Sequence, residues 1–167
     1  IFRGFGIQGG FLWRGTNSPE SRHLIWRGAD GTELPCYRYA GIGYCDLAFR
    51  VRGLARFENP FDASKVEEDL AKYLEEEAAH SATDAVLLFD GADHQEWDPA
   101  AYERIFAFME TCKDRFTFTH STLDAYLEAA LAQRDSISTR AEGELREAGR
   151  NFHPLDDQMV IHGVASS

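Results

Sequence analysis

Cysteine is scarce and unpaired in this sequence. Cys36, Cys45 and Cys112 are odd in number and form no C-x-x-C spacing. That argues against a disulfide framework and a cysteine zinc knuckle, and it points to a reducing, cytoplasmic setting. The six histidines include no H-E-x-x-H motif, so the common zinc-protease helix is absent. No apolar run approaches the roughly 20 residues that span a bilayer. Basic residues are outnumbered, 17 against 28, for a formal net charge of −11. Nucleic-acid backbones and anionic membrane surfaces are therefore not expected as partners. An N-terminal Met is missing too: Ile1 opens in what reads as mid-element sequence, and Ser167 closes just after an apolar stretch. The chain reads as an interior segment of a longer protein, which leaves a removed signal peptide open.

What is present suits a globular domain. The 167 residues are 44% hydrophobic and 13% aromatic, enough for one domain with a sizeable core. Twelve Phe, six Tyr and three Trp are generous; most fill a core, and aromatics also line sugar sites.

The most informative stretch is Ala85-Val86-Leu87-Leu88-Phe89-Asp90-Gly91-Ala92-Asp93-His94. Five apolar residues in a row suit a strand buried on both faces of a parallel sheet. A small-residue turn with two carboxylates and an imidazole follows at once. Catalytic groups project from such strand ends in barrels and doubly wound sheets. Asp93 stands where a reacting carboxyl would stand, with Gly91 and Ala92 leaving room for a ligand. The bland alternative is that Asp90 and Asp93 cap the next helix.

The rest of the chain reads as alternating elements. Gly9 to Trp13 is a short strand with Arg14 at its carboxyl end. Residues 24–27 and 33–37 form a hairpin turning at Asp30-Gly31, and Pro35 predicts an edge strand. Residues 40–60 read mostly as loop. A helix spans about Asp62 to Ala79, with Ser64 and Glu67 at capping-box spacing and Val66, Leu70, Tyr73 and Leu74 on one face. Asp98-Pro99 opens another helix, burying Tyr102, Ile105, Met109 and Cys112. Phe116 to Thr119 is a strand, and a helix then runs to about Gln133 with Leu123, Leu127, Ala130 and Leu131 inward. Residues 135–157 read as irregular, and Met159-Val160-Ile161 as a further short strand. Helix, strand, helix, strand, helix from 62 to 133 predicts an α/β fold, its strands near 10–13, 85–89 and 116–119 in one largely parallel sheet. Their carboxyl ends, with Arg14 and Asp93, should share one side.

Several of these pieces occur together in a telling order. Arg3-Gly4-Phe5-Gly6-Ile7 and Phe11-Leu12-Trp13-Arg14-Gly15 come first, followed by Trp26 and Asp30-Gly31-Thr32. Leu88 to Gln95, Phe116 to Ser121, Gly143-Glu144-Leu145-Arg146 and His162 to Ser167 complete the series. In that order, over residues 1–167, they resemble the middle of the N-terminal catalytic domain of bacterial-type α-mannosidases of glycoside hydrolase family 38.

The resemblance implies a (β/α)7-barrel-like domain and retaining, zinc-assisted hydrolysis of α-mannosides. In that family one carboxylate attacks the anomeric carbon while touching zinc, and a second, in a Gly-x-Asp turn, protonates the leaving oxygen. The matching position is Asp93. A general acid must be protonated at working pH, and nearby negative charge and partial burial favour that form. Retaining enzymes hold their two carboxyl groups about 5–5.5 Å apart.

Arg14 matches the family arginine that contacts the nucleophile and sugar hydroxyls; a surface salt bridge is the alternative. Tyr39 resembles a tyrosine lining the sugar site, with Tyr37 the competing candidate, on the expectation that these two strand residues face oppositely. Trp13 and Trp26 read as core or hairpin packing. His94 is expected to contact substrate or orient a carboxylate, and His120 and His162 to be structural. The chain has no His-x-Asp pair, so the family's zinc ligands and nucleophile are expected outside this segment, and no metal ligand is assigned within it. The segment is then one wall of an active site, inactive alone, with oligomeric state open, a homo-oligomer included. Competing readings are a polysaccharide deacetylase-like or glycoside hydrolase family 57-like domain, and a non-catalytic carbohydrate-binding or interaction domain.

Overall fold

A computed structural model describes residues 2–16, 20–53, 62, 64–93, 98–143 and 145. It shows an α/β fold built on a four-stranded mixed sheet. The strands are β1 (Gly10–Leu12), β2 (His23–Arg27), β3 (Glu33–Arg38) and β4 (Arg140–Glu142), in the order β1-β3-β2-β4. The β1–β3 and β2–β4 pairings are parallel and the β2–β3 pairing is antiparallel. The helices are α1 (Asp46–Arg50), α2 (Val66–His80), α3 (Pro99–Thr111) and α4 (Leu123–Leu131).

The hairpin forms as its turn chemistry predicts. Arg27 pairs with Glu33, Gly31 takes φ +79°, and the Asp30 carboxylate accepts from the Thr32 N–H at 2.9 Å, an Asx turn. Pro35, however, does not mark an edge: β3 lies between β1 and β2. Pro35 sits opposite Ile25, whose N–H points away from β3 and donates to the Thr139 carbonyl. In such a non-hydrogen-bonded pair Pro35 owes β2 no donor, and on its other side the ladder with β1 begins one residue later, at Cys36.

Two predicted strands take no place in the sheet. Residues 85–89 and 116–119 pair in no ladder among the described residues. Ala85 and Leu87 pack on an aromatic cluster around Tyr37 and Tyr126. Leu88 packs on the opposite side, against the helical cluster of Leu47, Val66, Leu70, Tyr73, Leu74 and Ile105. Among the described residues the apolar run is thus covered on two faces without a ladder partner, and its residues are only half-buried. Phe116 and Phe118 both pack on the helical cluster, the period-2 pattern of a half-buried extended segment.

The helices show where local signals held. Asp98 caps α3, accepting from the Ala101 N–H at 3.1 Å with Pro99 in the first turn. Thr122 caps α4 in the same way. The capping box at Ser64 does not form. Asp62 takes the Ser64 N–H and hydroxyl instead, and α2 starts at Val66. Its predicted face is correct: Val66, Leu70, Tyr73 and Leu74 are buried. On α3 Ile105 is buried while Tyr102, Met109 and, at the C-cap, Cys112 are half-buried. On α4 the buried residues are Tyr126 and Ala130, and Leu123 is exposed, because the helix leans on the sheet through its tyrosine. Residues 43–50, read as loop, form a 3₁₀ turn and α1, and β4 lies within the stretch read as irregular. Met159 to Ile161 lie outside the described residues.

Tyr126 meets a histidine that the sequence did not single out. His23 is 2% exposed. Its Nδ1 accepts from the Ala82 N–H at 3.2 Å, so Nε2 carries the proton and donates to the Tyr126 hydroxyl at 2.8 Å. Burial lowers its pKa from 6.5 to about 4. In the unfolded chain His23 protonates near pH 6.5, whereas the fold holds it neutral until about pH 4. The unfolded state thus binds the extra proton in that window, and stability falls as pH drops through it, by about 3 kcal/mol in total. Urea unfolding between pH 7 and pH 4 should show this loss in the wild type and a smaller one in His23→Gln. Equal pH dependence in both proteins would contradict the assignment.

Candidate functional site

The site forms where β1 and β3 end together. Being parallel, they bring Leu12 opposite Arg38, and the Tyr39 N–H then donates to the Leu12 carbonyl at 2.7 Å. Trp13 and Arg14 therefore leave the sheet at the same end as Tyr39. The segment 82–91 travels the same way. Ala82 bonds His23, at the level of Tyr37; Phe89 meets Tyr39 edge to face at 5.5 Å; Gly91 N–H donates to the Tyr44 carbonyl at 3.0 Å. The turn that carries Asp93 thus arrives beside the loop after β3.

Tyr44 is the hinge of the arrangement. Its hydroxyl donates to the Asp93 carboxylate, 2.9 Å from one oxygen and 3.0 Å from the other. Its ring meets Trp13 nearly perpendicular, centroids 5.6 Å apart, and the Arg14 guanidinium stacks 4.7 Å from the Trp13 ring centre. A chain of contacts Arg14–Trp13–Tyr44–Asp93 results, and Arg14 and Asp93 do lie at the same end. Two glycines make it possible. A Cβ on Gly43, which has φ +76°, would lie 2.4 Å from the Trp13 ring. A Cβ on Gly91 would press on Tyr44 and Phe89 at 3.0–3.1 Å. The space that Gly91 was expected to leave for a ligand is therefore filled by Tyr44.

The carboxylates divide their roles. Asp90 is held by Arg52, with Nε 2.9 Å from its Oδ2, and it accepts a short bond from the Tyr102 hydroxyl. Burial first, then the bond to Asp90, pushes the Tyr102 phenol up to about 12. Neither Asp90 nor Asp93 caps α3, since Asp98 does. Asp93 is exposed and accepts from Tyr44 alone among the described side chains. The bond to Asp93 raises the Tyr44 pKa. Burial, followed by the Asp93 charge, raises that of the Cys45 thiol.

The other candidates separate. Arg14 is exposed and stacks on Trp13, and it forms no salt bridge among the described residues. Trp13 accordingly belongs to the site, while Trp26 packs beside the Leu24, Leu34 and Cys36 cluster and donates to the Gly143 carbonyl at 2.7 Å. Tyr37 and Tyr39 are two residues apart and share a face, their rings 5.2 Å apart. Tyr37 is buried, with its hydroxyl on Glu77 at 3.3 Å. Tyr39 is half-buried against Phe11 and Phe89, and burial raises its pKa. His120 is exposed, and His94 and His162 lie outside the described residues.

Tyr44, Arg52 and Tyr102 were missed from the sequence. The one local signal for Tyr44 was its setting in Gly43-Tyr44-Cys45-Asp46, an aromatic flanked by a glycine and polar groups in apparent loop. The described residues contain no group of three or more His, Cys, Asp or Glu that could hold a metal ion, so by themselves they do not fit a zinc site. No helix among them is long and apolar enough to cross a membrane. No protein-family model, curated protein or solved structure matches the chain.

Proposed function

We propose that this chain is a segment of a cytoplasmic retaining α-mannosidase resembling glycoside hydrolase family 38, with a (β/α)7-barrel-like catalytic domain and zinc held by residues outside the segment. One observation carries the reading. An exposed carboxylate, Asp93, is presented at the end of an extended apolar segment, tethered by a tyrosine hydroxyl, on the same end of the fold as Trp13 and Arg14. A solvent-facing acid beside a guanidinium suits a pyranoside: the acid can protonate the glycosidic oxygen, and the hydroxyls accept from arginine.

In this reading Asp93 is the general acid/base. It protonates the glycosidic oxygen as the bond breaks, then as carboxylate takes a proton from the water that releases mannose. Arg14 binds sugar hydroxyls, Tyr39 backs the wall, and His94 contacts substrate. Asp90, neutralised by Arg52, is a structural neighbour.

The test is stereochemical. The full-length protein carrying this segment is given an aryl α-mannoside, and the anomer released first is read by proton NMR. The α-anomer is expected, since two displacements at one carbon restore configuration. First release of the β-anomer, or no hydrolysis of α-mannosides, would remove the reading.

A further inference from the structure

We propose that Tyr44 is the positioning residue of the Asp93 carboxyl: its hydroxyl fixes the orientation of the carboxyl plane toward the glycosidic bond. The inference rests on the acid/base reading of Asp93 and adds a residue that the resemblance did not supply. An exposed aspartate on a turn has several staggered rotamers open to it. Here the Tyr44 hydroxyl lies 2.9 and 3.0 Å from the two oxygens, so one donor aimed between them holds the carboxyl plane. Asp90 does not compete for that hydroxyl, because Arg52 and Tyr102 already occupy it.

The tether is itself fixed from three sides. The Tyr44 carbonyl accepts from the Gly91 N–H at 3.0 Å, which ties the backbone of both turns together. The Tyr44 ring abuts Trp13 at 5.6 Å. Behind it, Gly43 leaves no room for a side chain against Trp13. A group held in this way loses little further freedom when substrate arrives, which is how support around a reacting group converts into rate. During bond breaking the proton passes from Asp93 to the leaving oxygen, and Tyr44 stabilises the carboxylate that remains. When water attacks, that carboxylate takes the water's proton, and the acid is restored.

The experiment compares full-length wild type, Tyr44→Phe, Asp93→Asn and the double variant. Substrates are an unactivated α-mannoside and an activated aryl α-mannoside. Tyr44→Phe keeps the ring against Trp13 and removes only the hydroxyl. Its kcat/KM on the unactivated substrate should fall about tenfold, the weight of one hydrogen bond to a charged group. The loss on the activated substrate should be much smaller. In the Asp93→Asn background Tyr44→Phe should add little. Equal loss on both substrates would reduce Tyr44 to packing, and full additivity with Asp93→Asn would likewise overturn the proposal. If Asp93→Asn is impaired and Tyr44→Phe is not, positioning fails alone. If Asp93→Asn matches wild type on unactivated substrate, the acid/base reading itself fails.

Discussion

Asp93→Asn in the full-length protein is expected to slow hydrolysis of an unactivated α-mannoside by about 10²–10⁴-fold, the usual worth of general acid–base catalysis. Asparagine keeps the shape and can still accept from Tyr44, so the turn clipped to Tyr44 should stay in place. What it loses is the transferable proton. An activated aryl mannoside departs without protonation, so its first step should be slowed far less. Its second step should still be slow, because water then lacks a base, and added azide should rescue it by attacking without one. Rates on both substrate types, with and without azide, give the answer. Loss on every substrate without azide rescue would move Asp93 to a nucleophilic, metal-binding or folding role. Unchanged rates on unactivated mannosides would take it out of the mechanism.

That turn was legible in the sequence as a turn, but its partners were not. Signals that act over three or four residues carried through: Asp98 capping a helix that begins at Pro99, the Asp30-Gly31 hairpin, and the apolar face of α2. Even among local signals the outcome depended on context. Ser64 and Glu67 had capping spacing, yet Asp62 drew the serine into its own turn. Five apolar residues at 85–89 read as a buried strand of a parallel sheet, and the structure forms no strand there; the run lies between two apolar clusters instead. They said nothing about in-plane pairing, because hydrophobicity reports faces whereas a ladder depends on which backbone lies alongside. Pro35 was misread for a related reason. Its missing donor matters only if its N–H would have pointed at a neighbour.

The contacts that build the site span long stretches of chain. Tyr44 reaches Asp93 and Arg52 reaches Asp90 from a stretch without periodicity. No spacing rule connects such residues; their meeting follows from β1 and β3 ending together and from segment 82–91 running alongside. Arg14 and Asp93 meet at one end although the parallel strand that was to carry Asp93 there does not form; the contacts through Trp13 and Tyr44 bring them together. Naming Tyr44 as the group between them required the packed loop. The same limit applies to the most buried ion pair among the described residues, which no feature of the sequence distinguished.

Glu77→Ala is expected to destabilise the fold by about 3–5 kcal/mol, the usual cost of removing one partner from a buried ion pair. The Arg22 and Glu77 side chains are 4% and 3% exposed. Arg22 Nε lies 2.9 Å from both carboxylate oxygens, and its Nη2 lies 2.7 Å from Oε1. Burial alone would lower the Arg22 pKa; the bonds and charge of Glu77 outweigh it and hold the guanidinium above its ordinary value. The pair ties the residue just before β2 to α2, and Tyr37 joins it from β3. Without Glu77 the guanidinium stays charged and enclosed, and Glu76, 3.7 Å away and 41% exposed, is too wet to replace it. At about 2–4 °C per kcal/mol for a chain of this size, the melting temperature should drop by about 10 °C. Glu77→Gln should lose less, because one oxygen still accepts. The double variant Arg22→Met/Glu77→Leu separates charge from packing. An apolar pair of similar volume avoids the desolvation of both ions, so it should recover most of the loss. Thermal unfolding of the four proteins at one pH is the measurement. A double variant no more stable than Glu77→Ala would mean that the salt bridge acts through its geometry, locking α2 onto the sheet, rather than by relieving a buried charge.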